Sequence, residues 1–184
     1  MSSFTERIKE QQMNKQQGSN DSPLLHLTQW KQRIMEMMIQ DDQLMKLVAY
    51  PVTDWARRPD VPMEDRIALV DDQLLKIMYN DDVVVEKKTF ISLGISGFVP
   101  QESFRQFSYL NVMGYIYFYV LTDRDIMHTD SGIRQDEIVG RLQRIFQGKD
   151  FGLGSMQLGS YNELWTQNNK FGGAVIGYEV MGPK

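Results

Sequence analysis

The stretch that most restricts what this chain can fold into runs from residue 115 to residue 147. Residues 115–122 read Tyr-Ile-Tyr-Phe-Tyr-Val-Leu-Thr. Ile116, Phe118 and Val120 fall on one parity of a strand, and Tyr115, Tyr117, Tyr119 and Leu121 on the other. A strand apolar on both faces is ordinarily covered on both, which predicts a central position in a sheet. Each phenol must also reach water or a hydrogen-bond partner. A polar turn over 123–132 leads into residues 133–147, which have helical period. Ile138, Val139, Leu142, Ile145 and Phe146 form the apolar stripe, with Arg134, Asp136, Glu137, Arg141 and Arg144 off it. Thr129, Asp130 and Ser131 are candidate N-caps, and Gly148 suits a left-handed C-cap.

The flanking segments complete an α+β pattern. Residues 1–22 are polar and bury too little to order alone, so they read as an arm, with the remainder a single domain over 23–184. Its helical part spans 24–80 and its sheet-plus-helix part 83–182. A helical pattern over 24–49 carries a capping signal at Asp41-Asp42, which predicts two helices. The prolines at 51, 59 and 62 mark a rigid connector, and a further helix is expected over 64–79. The eight residues from Asp41 (Asp-Asp-Gln-Leu-Met-Lys-Leu-Val) nearly repeat from Asp71 (Asp-Asp-Gln-Leu-Leu-Lys-Ile-Met). Two copies are too few for a solenoid, so both are expected to be short helices with an acidic first turn.

Residues 83–95 read as a strand with Ile91, Leu93 and Ile95 on one face and Phe90 on the other. A loop is expected over 97–108. Residues 171–181 read as a closing strand with Ala174, Ile176, Tyr178 and Val180 inward. Gly172-Gly173 there signals a bulge or a close backbone approach. The expected fold is therefore a mostly antiparallel sheet with one amphipathic helix packed on it, preceded by N-terminal helices.

Composition narrows the chemistry. Twenty basic against twenty-four acidic residues give a formal charge of −4, which argues against a dedicated nucleic-acid binder. The absence of cysteine removes disulfides, thiolate catalysis and cysteine-ligated zinc. The start of the chain lacks an apolar signal core, and no run approaches a membrane span, so a soluble intracellular product is expected. His26 and His128 lack carboxylates at ligand spacing. Asp123, Asp125 and Asp130 lack the EF-hand rhythm and fit turn chemistry better. The glycines near Phe151 and Phe171 precede no GK[ST]. Catalytic, cofactor and metal residues are therefore expected to be none, and no cofactor is expected. One enzymatic alternative has spacing behind it: Glu86 and Lys88, after Asp71, Asp72, Asp81 and Asp82, fit the Asp…Glu-x-Lys layout of a metal-dependent nuclease. A charged strand end explains the same residues. Met35, Met37, Met38 and Met45 suit core filling more than an adaptable binding surface. Trp30, Trp55 and Trp165 suit core or interface anchors.

Residues 115–182 resemble the tail-terminator or neck proteins of tailed bacteriophages. The features that carry this are the strand with its polar turn, the helix from Ile133 to Phe146, the Leu-Gly-Ser-Met-Gln-Leu run at 153–158, and the closing segment from Phe171 to Val180. The N-terminal Asp-Asp-Gln-Leu-x-Lys segment and the strand from Lys88 to Leu93 look similar to versions of the same family. The resemblance implies a structural virion protein, not an enzyme, at the head–tail interface. It would form a homo-oligomeric ring, a hexamer, that terminates the tail tube and meets the tail tube protein and a connector or adaptor. DNA would pass through its lumen without specific binding, and no membrane is involved. Another neck adaptor or head-completion protein is the alternative within the class. The contact segments expected are 1–22, 97–108 and 159–170.

Overall fold

The computed structural model describes residues 26–77, 87–100, 111–150, 154–165 and 170–183. The segment 1–22 and most of 97–108 lie outside them. The elements are helices α1 (Leu27–Ile39), α2 (Asp42–Ala49) and α3 (Met63–Ala68), strands β1 (Leu74–Leu75), β2 (Thr89–Pro100) and β3 (Asn111–Asp123), helix α4 (Arg134–Phe146), and strands β4 (Ser155–Trp165) and β5 (Phe171–Pro183). Short 3-10 turns lie at Trp55–Arg57 and Arg124–Ile126. The fold is α+β, with a five-stranded sheet in the order β1-β2-β3-β5-β4. Every pairing is antiparallel except β1 with β2.

The aromatic strand is central, as its pattern requires, between β2 and β5. Its even positions face the helices. Ile116, Phe118 and Val120 pair across to Ile95, Leu93 and Ile91 on one side and to Tyr178, Ile176 and Ala174 on the other. This face shares one core with Trp30, Ile34 and Met38 of α1, Leu44, Leu47 and Val48 of α2, and Ile138, Leu142 and Phe146 of α4. Phe118 stacks on Phe146 at 4.8 Å between centroids, with Tyr178 edge-on to both. Met35, Met38 and Met45 are buried and Met37 half-buried, so the methionines fill the core. Trp30 and Trp55 are buried as well.

The helical region is divided where the sequence predicts. Asp41 caps α2 by accepting the Leu44 amide at 2.8 Å, and Arg141 of α4 pairs with the same carboxylate. The second copy of that octet behaves differently. The helix expected over 64–79 ends at Ala68, and Asp71 takes a left-handed φ of 69°. The chain then turns back so that Asp71 N–H donates to Leu74 O at 2.9 Å. Leu74 and Leu75 pair with β2 in parallel, and the Gln73 amide bridges Val48 O and Thr89 O. One local sequence thus makes a helix against the core in one place and a sheet edge in the other. Tertiary partners, not propensity, decide between them.

Other boundaries move too. β2 continues to Pro100 through a register irregularity between Ser96 and Val99, where a loop was expected from 97. Residues 78–86, including the expected strand start at 83, lie outside the described residues. Ser155–Trp165 forms an edge strand across much of the expected polar contact stretch 159–170. α4 starts at Arg134, and its N-cap is Ile133 without a side-chain cap bond, not Thr129, Asp130 or Ser131. The Thr129 and Ser131 hydroxyls instead donate to Glu137. Gly148, at φ 72°, ends the helix in the left-handed region as expected. Its N–H donates to Met156 O at 2.7 Å.

Candidate interaction surface

Arg134 shows how the two halves of the domain are joined. It lies one turn before Ile138 on the same stripe, and it is 0% exposed, where the sequence places it off the apolar face. Its guanidinium donates to Ile126 O (2.8 Å), Leu47 O (2.7 Å), Tyr50 O (2.9 Å) and Val52 O (2.6 Å). Leu47 has no helical donor four residues on, because position 51 is proline. Arg134 therefore caps the C-terminus of α2 from the N-terminus of α4. The negative end of the α2 dipole favours a cation there. Burial lowers the Arg134 pKa, and the Glu137 carboxylate opposes that shift. Arg66 makes a second clamp of this kind, to Val61 O (2.7 Å), Ile39 O (2.9 Å) and Asp42 Oδ1 (2.5 Å).

The sheet face opposite the described helices carries a row of tyrosines. Tyr115, Tyr117 and Tyr119 run along it half-buried, with centroids 6.0 and 6.3 Å apart. The core that the described helices share with β3 contains only its even positions, and the tyrosines lie down over small neighbours instead. Tyr117 pairs across to Gly94 and Gly177. A Cβ at Gly177 would fall 2.8 Å from the Tyr117 ring, and one at Gly97 would fall 3.2 Å from the Tyr115 ring. At the lower end of the sheet three lysines pair with aspartates: Lys87 with Asp125 at 2.8 Å, Lys88 with Asp72 at 3.1 Å, and Lys170 with Asp123 at 3.9 Å. The Lys87 contact depresses the Asp125 pKa and raises that of Lys87. Asp123 Oδ1 also accepts the Asp125 amide at 2.9 Å, which is turn chemistry.

The two lateral ends of the sheet carry the large exposed apolar side chains of the described residues. Met63, Ile67 and Ile77 lie on α3 and just past β1, and Leu158 and Tyr161 lie on β4. β1 covers only Ile91 and Ser92 of β2. On the outer side of β4, Met156 and Leu158 are satisfied by Lys149 O and Gln147 Oε1. A register shift between Leu158 and Ser160 follows. Beyond it, alternation turns the backbone groups of Tyr161 and Glu163 outward.

The residues named for chemistry are placed as follows. His26 stands before α1, near Trp30, and His128 lies on the turn before α4. Lys88 meets Asp72, while Glu86 lies outside the described residues. No three His, Asp or Glu side chains stand together as a metal site among the described residues. No helix among them is long and apolar enough to cross a membrane. The tyrosine stripe could have been found from parity alone, since its odd positions are aromatic and hydroxylated. Arg134 could have been found from its four-residue step to Ile138.

Comparison with curated proteins gives no match. A family model, YomW, matches residues 41–180, about three-quarters of the chain, from the α2 cap to Val180 of β5. With most of the helical layer and the sheet inside that match, the chain belongs to the YomW family.

Proposed function

We propose that this protein is a structural component of a tailed-phage particle, a ring subunit at the head–tail interface that closes the tail tube and joins it to the neck. The observation that supports this most is the run β3, polar turn, α4, β4, β5 over residues 111–183. It has the order of elements that carries the resemblance to tail-terminator proteins. The YomW match extends over nearly all of it.

The architecture suits the task physically. A ring subunit needs a stiff body, which the clamps of Arg134 and Arg66 supply by tying α4 to the end of α2 and α3 to the end of α1. It also needs surfaces for neighbours above, below and beside it. The tyrosine face and the two sheet ends are such surfaces. A net charge of −4 is compatible with a channel that lets DNA pass without holding it. Self-assembly into a hexamer, with contacts to a tube protein and to a connector, is the corresponding assignment of partners.

Two measurements test this. Mass spectrometry of purified particles from the phage that encodes the chain should find it in the virion, and electron microscopy of the purified chain should show closed rings. Absence from virions overturns the reading. Magnesium-dependent DNA cleavage abolished by Glu86→Ala or Lys88→Ala would replace it with nuclease chemistry.

A further inference from the structure

The exposed apolar residues are divided between opposite ends of one sheet. Among the described residues, Met63 is 50% and Ile67 57% exposed at the β1 end, and Leu158 is 48% and Tyr161 45% exposed at the β4 end. Met63 and Ile67 are four residues apart on α3, so they share one face of that helix. Leu158 and Tyr161 flank the register shift in β4 and stand on the helix side of the sheet, opposite Tyr178 and Ile176. The β4 end also offers the outward backbone groups of Tyr161 and Glu163. Such a row of backbone groups is a template for pairing with another extended chain.

Strand direction selects the partner. β2 is antiparallel to β3, β3 to β5, and β5 to β4, so the two outer long strands run in opposite directions. When a second copy is set beside the first in the same orientation, its β2 edge beyond Ser92 meets the first copy's β4 edge as an antiparallel pair. An isologous dimer would use one patch twice and leave the other end bare. Two unlike apolar ends on one sheet fit a head-to-tail contact.

We infer that the chain self-associates heterologously: the β4 end of one copy, through Leu158, Tyr161 and the outward backbone groups of Tyr161 and Glu163, docks on the α3–β1 end of the next, through Met63, Ile67 and the edge of β2 beyond Ser92 that no described strand pairs. This rests on the ring reading above and names the surfaces that would build the ring. A repeating contact of this kind closes if its rotation divides a full turn, and otherwise grows as a filament.

The test uses the full chain in three forms: wild type, Met63→Lys with Ile67→Lys, and Leu158→Lys with Tyr161→Lys. All four positions are at least 45% exposed, and circular dichroism and melting confirm that each variant is folded. Light scattering after size exclusion should find the wild type as a multiple of 21.4 kDa and each double variant as a monomer. An equimolar mixture of the two variants should form a dimer and nothing larger, because each supplies the end that the other lacks. If either variant alone retains the wild-type size, or the mixture stays monomeric, the surfaces are wrong while the ring reading stands. A wild type that remains a monomer at every concentration overturns both.

Discussion

Replacing Arg134 by methionine should cost this domain a large part of its stability, and the structure lets the cost be worked out. Four carbonyls, on Ile126, Leu47, Tyr50 and Val52, lose their donor. Tyr50 O keeps the Val52 amide at 2.9 Å, so three carry most of the loss. At about 1–1.5 kcal/mol for each buried acceptor left without a donor, the sum is about 4 kcal/mol, within the range for breaking a buried charged network. For a domain of this size that corresponds to a fall in Tm of roughly 8–16 °C. Methionine fills the stem volume, so little of the effect is cavity. Arg134→Lys should cost about half as much, because one ammonium has three donors and cannot span the fork. Arg141→Met, which removes a partly exposed pair with Asp41, should cost only about 1 kcal/mol. The assay is reversible thermal unfolding followed by circular dichroism. An Arg134→Met variant melting within about 3 °C of wild type would refute the reasoning, since those carbonyls would then be satisfied without the guanidinium.

Asp41→Ala removes both the α2 cap and the Arg141 pair, so a urea titration should show a loss of about 2 kcal/mol, larger than for Arg141→Met alone. Gly177→Ala puts a Cβ 2.8 Å from the Tyr117 ring and 2.5 Å from Ser160 Oγ. It should destabilise by about 1–3 kcal/mol and change the near-ultraviolet tyrosine signal, and an unchanged spectrum would show that the rings do not lie on that glycine. Burial raises the Tyr178 phenol above its usual pKa, so the folded state holds that proton more tightly than the unfolded chain. The stability this gives is fully present below the unfolded value of 10.0 and falls as pH rises past it. Tyr178→Phe should lose about 1 kcal/mol at neutral pH through the missing bond to Gln143 (2.9 Å) but should flatten the alkaline decline in Tm. Parallel alkaline curves for the two proteins would exclude Tyr178 as its source.

How far the sequence led depends on which force decided each element. Periodicity predicted α4, the two-helix split at Asp41, the inward face of β5 and the central place of β3, because there the apolar pattern and the core agree. It failed at residues 69–75, where the repeated octet is as helical in composition as its twin. What differs is the neighbourhood: Gln73 finds Val48 O and Thr89 O, and Leu74 finds β2. It failed at Arg134 because a charged residue on an apolar stripe is ordinarily discounted. Here Pro51 leaves a helix-end carbonyl open, and only a long cation from elsewhere in the chain reaches it. β4 runs on through its register shift into residues that the sequence marks as a polar contact stretch, because pairing with β5 continues to Trp165. Of the candidate surface, the tyrosine side chains were visible in the sequence. Their setting was not, because Gly94, Gly177 and Gly97 come beside them only through pairing.

The place of β5 in the sheet bears on how the molecule is made. β3 and β4 run in the same direction and touch no common strand until β5 slots between them. During synthesis everything through β4 leaves the ribosome with the middle position of the sheet vacant, and the hydrophobic layer under α4 is incomplete. Cooperative folding therefore waits for the last described strand. A polypeptide stopped short of residue 171 presents β4 with no partner strand and β3 with one bare edge, the kind of product that chaperones and proteases handle.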